Sequence, residues 1–500
     1  MQRLSAKSCL EESKSGFDGL LSFNYGFLKW AVILSLVLAF VFQIYLVFFA
    51  LLTVYVILKR RAQGLLLRFP YSLILLFWIL WSFFTSTVAV YQHLALVGFI
   101  GVLVYSLIAF GGYSVFRIHR AESFSPAEFE NSFLREIFKA FSLAIVVGVC
   151  LSLLRVFVLW LLTGGDSCRF VFNLAGFRIV ITEFFFKDGR LSGMIDQPAL
   201  FGNLLALYLV FPAYAVLSWI FSGKDNLNGS DSQATACEDR QINFRQDVVL
   251  HVVALILGFI GIVLTGTRGA LLLFVLELTV LFLILAPSFK KALVMIFVAG
   301  VILVAFSLAV PSFRIRFLHS LDPHWSSNAT RLMLIKASFD ILKNTHRIIT
   351  GVGLLNFRPL FNLWKGWGAH ASIGSSVGYG FVHNLYVHFL VEEGIVGVLV
   401  VAFLFVQGIV VNLRRVVRLK RAGLNVPAKA FSAVALAVVS SFMIHSLIDN
   451  LLFSFQSGGF IFLIMGLAET FNFDYSRSII HEFFKDFKDR LFYRIFVPGV

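Results

Sequence analysis

Long apolar runs constrain this chain more than any other feature. Eleven segments carry almost no charged side chain: 27–58, 69–88, 92–113, 141–163, 197–221, 248–265, 269–288, 292–311, 394–413, 430–447 and 451–470. An α-helix needs about 20 apolar residues to cross the hydrocarbon core, whereas a membrane β-strand alternates apolar and polar residues. The continuous runs therefore predict an all-α polytopic membrane protein, with the whole chain, 1–500, forming one membrane domain.

The number of spans depends on the first run, 27–58. It is long for one helix and short for two. Two short helices with a turn between them would give about 12 transmembrane helices, and a single helix would give 11.

Composition excludes an ordinary soluble protein. The chain is 59% hydrophobic and 14% charged, whereas a soluble domain usually has about 25% charged residues. A net charge of +15 would suggest nucleic-acid binding in a soluble protein. In a membrane protein, a positive net charge is first explained by basic loops on the cytoplasmic side. We therefore expect no nucleic-acid partner.

The basic loops set the expected topology. Clusters at 59–61, 290–291 and 414–421 lie in short loops, and such loops stay on the cytoplasmic side. When the predicted membrane crossings between these clusters are counted, all three clusters lie on the same side. The same count places a predicted amphipathic tail, 471–500, on the cytoplasmic side. The outer side then holds the segments 164–196, 266–268, 312–393 and 448–450. Among these, 312–393 is a large outer loop expected to carry short helices.

Two arginines lie close to predicted outer helix ends. Arg268 stands in the tight turn of TGTRGALL between two apolar runs. One interpretation is an arginine that snorkels to the membrane interface, and the sequence alone slightly favours it. The other is a phosphate ligand, for which the flanking glycines leave room. Arg190 lies shortly before the helix predicted at 197–221 and is either a surface charge or an anion ligand.

The large outer loop contains a helical pattern. Residues 330–344 repeat apolar side chains at helical spacing, which predicts an amphipathic helix on or near the membrane. Arg331 falls in its first turn, where a cation opposes the helix dipole and so favours an anionic ligand. Trp364, in the same loop, is either an interface anchor or a platform for a sugar ring.

Titratable side chains gather at the start of the run 394–413. FVHNLYVHFLVEEG places His383 there, together with His388 and Glu392, which are four residues apart and could pair on one helix face. At the last outer turn, His445 and Asp449 are also four apart and could form a structural pair. A polar helix start above an apolar span is typical of a cavity wall.

The unusual polar residues thus fall on one side of the predicted membrane. Three arginines and a histidine there suggest a diphosphate ligand and a proton acceptor. The outer loops have neither a DxD carboxylate pair nor a His/Cys cluster at metal-binding spacing. We therefore expect no metal and no cofactor.

Several stretches resemble the O-antigen ligase/polymerase superfamily of bacterial envelope proteins. They are RLSGMIDQPALFGN, TGTRGALL, TRLMLIKASFDILKN, GVGLLNF, HNLYVHFLVEEGIVG and HSLID, spread over roughly 190–465. The resemblance implies a GT-C-like fold in the bacterial inner membrane, with the active site on the periplasmic face. It also implies a metal-independent glycosyltransferase with a polyprenyl-diphosphate-linked glycan as donor. The acceptor would be lipid A–core, a lipid-linked repeat unit or a protein.

The resemblance also implies roles for individual residues. The proposed catalytic residues are His383, as the base, and Glu392, which matches the family glutamate. Arg268, Arg331 and less closely Arg190 match arginines thought to hold the diphosphate. Supporting residues are Asn384, His445 and Asp449. The segment DQPA at 196–199 departs from the asparagine–proline–asparagine run of many members.

A membrane transporter is the alternative, either a flippase of lipid-linked glycan or a carrier of a small anion. Transporters usually place their sites near the bilayer midplane on broken helices. Here the polar residues gather at one face, which favours surface chemistry. The sequence leaves the sugar, the acceptor and the oligomeric state open.

Overall fold

A computed structural model gives the architecture of the 500-residue chain. It describes residues 69, 71–122, 126–163, 198–222, 247–309, 326–365, 381–421, 427–452 and 454–470, with short strands between 169 and 191 and isolated positions between 314 and 324. The predicted helices of 27–58 and the predicted tail 471–500 lie outside the described residues.

The described part of the chain contains twelve α-helices. They are α1 Ser72–Thr87, α2 Gln92–Glu122, α3 Pro126–Thr163, α4 Pro198–Ser222, α5 Val248–Thr265, α6 Arg268–Leu285, α7 Phe289–Ala309, α8 Ser326–Thr345, α9 Phe357–Lys365, α10 Leu385–Arg421, α11 Pro427–His445 and α12 Phe455–Thr470. Each predicted apolar run from 69 onward corresponds to one of these helices.

Six of the described helices are long and apolar enough to cross a membrane. They are α4, α5, α6 and α10, and the apolar parts of α2 and α3. The helices α1, α11 and α12 are shorter but also apolar. Large apolar side chains such as Val249 and Phe297 are 71% exposed on the outside of the bundle, as lipid contact requires. The chain is a multi-pass membrane protein.

Short strands correct the all-α expectation. Between α3 and α4, β1 (Arg169–Leu174) pairs with β2 (Phe177–Thr182), and β3 (Phe186–Lys187) pairs with β4 (Arg190–Leu191), both antiparallel. The first hairpin is rich in aromatic and β-branched residues, which favour strands. Its six-residue strands are too short to stand out beside the long apolar runs.

A second apolar core lies beside the main bundle and joins α8, α9 and the start of α10. The helix predicted at 330–344 is confirmed, but its apolar residues Leu334, Ile341 and Leu342 pack in this core rather than against a membrane. Trp364 belongs to the same core, where its indole N–H donates to Asp340 at 3.1 Å. It is a structural side chain, neither an interface anchor nor an exposed sugar platform.

The helix α10 is interrupted at Gly394. This residue has φ 72° and ψ −172°, and any Cβ there would lie 1.9 Å from the carbonyl oxygen of Ile349. Only glycine adopts this backbone conformation readily. The break separates a short segment, 385–393, from the long apolar span that follows it.

The backbone groups released by the break are bonded elsewhere. The carbonyl of Val391 accepts from Val352 N–H at 2.9 Å, and that of Glu392 accepts from Gly353 N–H at 2.8 Å. The carbonyl of Glu393 accepts from the indole of Trp81 at 3.0 Å. A broken helix at membrane depth is tolerated where protein satisfies its backbone, as these bonds do.

Candidate active site

Several helix ends meet at one end of the bundle, called here the site end. The first turn of α6 touches the last residue of α11, since a Cβ on Gly269 would lie 2.7 Å from His445 Nε2. The start of α10 is tied to the segment after α11 by a bond from Leu385 N–H to Ser446 O at 2.9 Å. The first of these contacts brings together two residues 176 positions apart in sequence.

His383 and Asp449 form a hydrogen bond at the site end. His383 Nδ1 lies 2.9 Å from Asp449 Oδ1, and the backbone N–H of Asn450 donates to the same oxygen at 2.8 Å. Burial alone would raise the pKa of Asp449, but the bond with His383 and the nearby histidines lower it to about 2. The carboxylate therefore stays ionised near neutral pH and accepts the Nδ1–H of His383.

The predicted pairing of His445 with Asp449 is wrong for the side chains. Asp449 is joined to His445 through its backbone N–H, which donates to His445 O at 3.0 Å. The helix α11 ends at His445, so the turn that follows directs the Asp449 carboxylate to His383 instead.

Asn384 fixes the segment that carries His383. Its side-chain NH₂ donates to Leu447 O at 2.8 Å, and its side-chain oxygen accepts from Val387 N–H at 3.0 Å. The second bond caps the first turn of α10. A bond from the Tyr386 hydroxyl to Met443 O at 3.0 Å adds a further link to α11.

The structure brings Arg331 and the start of α6 to this region. Arg331 is near enough to act electrostatically on the His445 imidazole. It lies in the second turn of α8 rather than the first, because the helix begins at Ser326. Arg268 is the first residue of α6, next to Gly269, and is partly exposed. Arg190 lies in β4, and its side chain is outside the described part of the structure.

The two glycines of TGTRG have roles other than those inferred from the sequence. Gly266 has φ 59° and ends α5 in the left-handed conformation that glycine favours. Gly269 makes room for His445 rather than for a guanidinium. Both glycines therefore shape the junction of α5, α6 and α11.

Glu392 holds the loop in front of α9. Its carboxylate accepts from Leu355 N–H at 2.9 Å and from Phe357 N–H, at the start of α9, at 3.1 Å. The predicted pair with His388 is confirmed at 3.3 Å, and both side chains are buried. These bonds give Glu392 a positioning role, whereas the sequence analysis had grouped it with the catalytic base.

Glu393 is a structural residue for which the sequence pattern predicted no role. This fully buried side chain accepts from Trp78 Nε1 at 3.0 Å and from Ser82 Oγ at 2.5 Å, both on α1. It thereby ties α1 to the break in α10. The sequence signal was a second glutamate directly before a glycine at the start of an apolar span.

The basic loop after α10 lies at the other end of the bundle. About 20 residues separate Gly394 from Arg414, and at 1.5 Å per residue they span about 30 Å, the thickness of a bilayer core. Lys420 Nζ donates to Ile284 O, at the far end of α6, at 2.8 Å. The basic cluster and His383 therefore lie at opposite ends of the same helices.

Part of the chain is similar to a known protein family. A family model described as O-antigen ligase matches residues 253–402. The match runs from α5 into α10 and includes Arg268, Arg331, His383 and Glu392. A search of curated proteins finds no match to the chain. The match covers 150 of the 500 residues, and this part of the multi-pass membrane protein is similar to O-antigen ligases.

Proposed function

We propose that the protein is a metal-independent, inverting glycosyltransferase. It would move a glycan from a polyprenyl-diphosphate donor to a hydroxyl group of an acceptor. The observation that carries the proposal is the His383–Asp449 pair at 2.9 Å, in the same region as Arg331 and the first turn of α6. Such a transfer needs an oriented histidine base next to positively charged groups that can bind an anion.

His383 is the proposed general base. Because Nδ1–H is held by Asp449, Nε2 keeps its lone pair and can accept the proton of the acceptor hydroxyl. The acceptor oxygen then attacks the anomeric carbon, and the bond from this carbon to the diphosphate oxygen breaks. The electron pair leaves with the diphosphate, and attack from the opposite face inverts the anomeric configuration.

The cationic groups are proposed to stabilise the leaving diphosphate. Guanidinium groups of Arg268 and Arg331 would offer paired N–H donors to phosphate oxygens. The N-terminus of α6 adds a partial positive charge at the same place. Fixed positive groups of this kind stabilise developing negative charge without a metal ion. Arg190 remains a third candidate for this role.

Other residues are proposed to position these groups. Asp449 orients His383, and Asn384 holds the helix start that carries it. Glu392 orders the turn between α8 and α9. These contacts support a preorganised site, which general-base catalysis requires.

The setting of the reaction follows from the same proposal. The site end would face the periplasm across the bacterial inner membrane, with the basic loops in the cytoplasm. The large loop 312–393, with α8 and α9, would contact the acceptor, either lipid A–core in a ligase or a lipid-linked repeat unit in a polymerase. About twelve spans in a GT-C-like arrangement complete the proposed fold.

One observation is relevant to the alternative, a transporter. The break in α10 is a feature that transporters use to bind substrates. Here, however, the carbonyls released at Val391, Glu392 and Glu393 are bonded to Val352, Gly353 and Trp81. The break thus serves to attach loops, which supports the transferase proposal.

The test is a transfer assay with the purified full chain in detergent, a lipid-linked donor and an acceptor. Product formed without a sealed vesicle would distinguish an enzyme from a transporter. We expect His383→Ala to lose about 10²–10⁴-fold in rate, the usual contribution of a general base. The matched control is His93→Ala, which removes an exposed histidine outside the loop 312–393. Equal rates in His383→Ala and the control would contradict the assignment.

A further inference from the structure

We propose that Glu393 is a pH-sensitive switch at the break in α10. Loss of its proton would loosen the attachment of α1, and of the turn after α8 (346–353), to this break. The inference concerns the regulation of the outer loop and does not depend on the proposed glycosyl transfer. The switch would respond to the pH at the site end of the bundle.

Two consecutive carboxyl groups are fully buried directly before the break, those of Glu392 and Glu393. Glu392 accepts from two backbone N–H groups and lies 3.3 Å from His388 Nε2. Among the described residues, the Glu393 carboxyl accepts from Trp78 Nε1 at 3.0 Å and from the Ser82 hydroxyl at 2.5 Å. Both are neutral donors, and a buried charge without a cationic partner is costly. Of the two carboxyls, Glu393 is therefore the one that keeps a proton more readily.

The carboxyl of Glu393 is closely packed. A Cβ on Gly397 would lie 2.8 Å from its Oε2, and the Trp78 ring stacks on Phe462 of α12 with ring centroids 5.9 Å apart. A neutral acid fits these surroundings, because its O–H can donate to the Ser82 oxygen while its other oxygen accepts from Trp78. An ionised carboxylate gains nothing here that replaces water.

Few charged groups face Glu393 from the elements packed against it. Helix α1, Ser72–Thr87, contains no titratable side chain. The titratable groups of the other elements are His388 and Glu392 on α10, with exposed His346 and Arg347 in the turn after α8. Glu392 is paired with His388, and the Arg347 guanidinium donates to Val88 O. In the described part of the chain, these bonds leave Glu393 without a cation to balance its charge.

Three backbone bonds join the turn to α10 on both sides of Glu393. They are Val352 N–H to Val391 O at 2.9 Å, Gly353 N–H to Glu392 O at 2.8 Å, and Ile395 N–H to Ile348 O at 3.0 Å. The indole of Trp81 adds α1 to this joint by donating to Glu393 O at 3.0 Å. Water can reach an ionised Glu393 only when the joint opens, so ionisation favours the open form.

The pKa of Glu393 gives the pH range of the switch. The residue precedes the apolar span, which begins after Gly394. Burial raises its pKa from the ordinary 4.5 to about 7, and the Glu392 charge raises it too, although the bonds from Ser82 and Trp78 lower it. The closed form thus holds the proton more tightly than an open, hydrated form, and protonation stabilises the closed form. This stabilisation is complete below about pH 4.5 and is lost as the pH rises through 7.

The experiment measures hydrogen exchange in the purified full chain, at a series of pH values and without substrate. Protection factors, which correct for the effect of pH on chemical exchange, report how often the joint opens. The pKa values are 4.5 in the open form and about 7 in the closed form. Opening at the amides of Val352, Gly353 and Ile395 should therefore increase roughly 70-fold between about pH 5 and about pH 8.

Three variants separate the switch from general effects on folding. Glu393→Gln keeps a neutral side chain that can donate to Ser82 and accept from Trp78, so it should lose this pH dependence. Ser82→Ala removes a donor to the carboxylate, so the rise in opening should move to higher pH. Glu277→Gln removes another fully buried glutamate, on α6, and should keep the pH dependence of the wild type.

The outcomes are distinct. Protection of the three amides that stays constant across this pH range in the wild type would overturn the inference. An equal pH dependence in Glu393→Gln would also overturn it, because the titrating group would then lie elsewhere. If Glu393→Gln does not fold, an unshifted transition in Ser82→Ala is the refuting result. Absence of glycan transfer by the wild type would count against the proposed function and leave the switch standing.

Discussion

Replacing Asp449 with asparagine tests how the candidate base is supported. The pKa of Asp449 is about 2, against an ordinary value of 3.8, although burial alone would raise it. Of the lowering causes, the bond and charge of His383 are the largest. A hydrogen bond to a charged group is typically worth about 1.5–3 kcal/mol, so the carboxylate should stabilise the positive charge that forms on His383 in the proposed transfer by about this amount.

This free energy sets the expected loss of activity. In the proposed transfer, His383 takes up the acceptor proton, and the carboxylate stabilises the positive charge that forms. Losing about 1.5–3 kcal/mol should slow the chemical step roughly 10- to 150-fold. An amide at position 449 could also offer its NH₂ to Nδ1 and so favour the wrong tautomer, which would increase the loss.

The assay is single-turnover glycan transfer by the purified protein, with saturating donor. The matched control is Asp247→Asn at the other end of the bundle, where the carboxylate pairs with Arg135 at 2.5 Å and Lys139 at 3.1 Å. Both variants remove one paired carboxylate, so general effects on stability appear in both. A rate for Asp449→Asn within twofold of the control would refute the reasoning.

The same pKa gives a prediction for stability against pH. Because the pKa of Asp449 is lowered on folding, its contribution is complete above about pH 4 and is lost as the pH falls through 2. Wild type should therefore lose stability between pH 4 and 2 by more than Asp449→Asn does. Equal acid sensitivity of the two proteins in thermal unfolding would contradict the hydrogen bond between Asp449 and His383.

Three further substitutions test other parts of the site. Gly394→Ala should destabilise the fold by at least about 1–3 kcal/mol, since its φ of 72° is strained for alanine; a normal unfolding temperature would argue against the helix break. Glu392→Gln should cost about 1–3 kcal/mol, because one backbone N–H would face an NH₂, and faster hydrogen exchange at 355–357 would report it. Arg268→Lys keeps the charge but loses the paired donors, so it should weaken diphosphate binding about tenfold; unchanged affinity would exclude a bidentate contact.

The helices could be predicted from the sequence because each span is a separate local signal. The run 248–265 coincides with Val248–Thr265, and the run starting at 269 corresponds to a helix that starts at Arg268. Gly266 ends one helix and permits the next to start within two residues. Apolar length and a glycine turn are both readable without tertiary information.

Side-chain partners could be predicted only within one continuous helix. His388 and Glu392 lie in the same unbroken segment, so their four-residue spacing brings them together. His445 and Asp449 have the same spacing, but α11 ends between them, and the carboxylate pairs with His383, 66 residues away. No local pattern specifies such a pair.

The surroundings of an amphipathic helix also could not be predicted from the sequence. The apolar residues of α8 have the same periodicity whether they face a membrane or a protein core. The structure places Leu334 and Ile341 in the core with α9, whereas Leu332 and Phe339 remain more than half exposed. Only the position of α9, which depends on Glu392 and the glycine-rich turn before it, decides between the two surroundings.

The contact between Gly269 and His445 places both residues at the same end of the bundle. The number of membrane crossings between them in the chain must therefore be even. From Arg268, α6 runs to the far end, where Lys420 bonds to Ile284 O, and α10 and α11 later make a full round trip. The chain between the two residues must therefore cross an even number of times, so α7 has to return it before α8 begins. If α7 failed to insert, α8 and His383 would be delivered to the membrane face opposite Arg268, and neither compartment would receive a complete set of site residues.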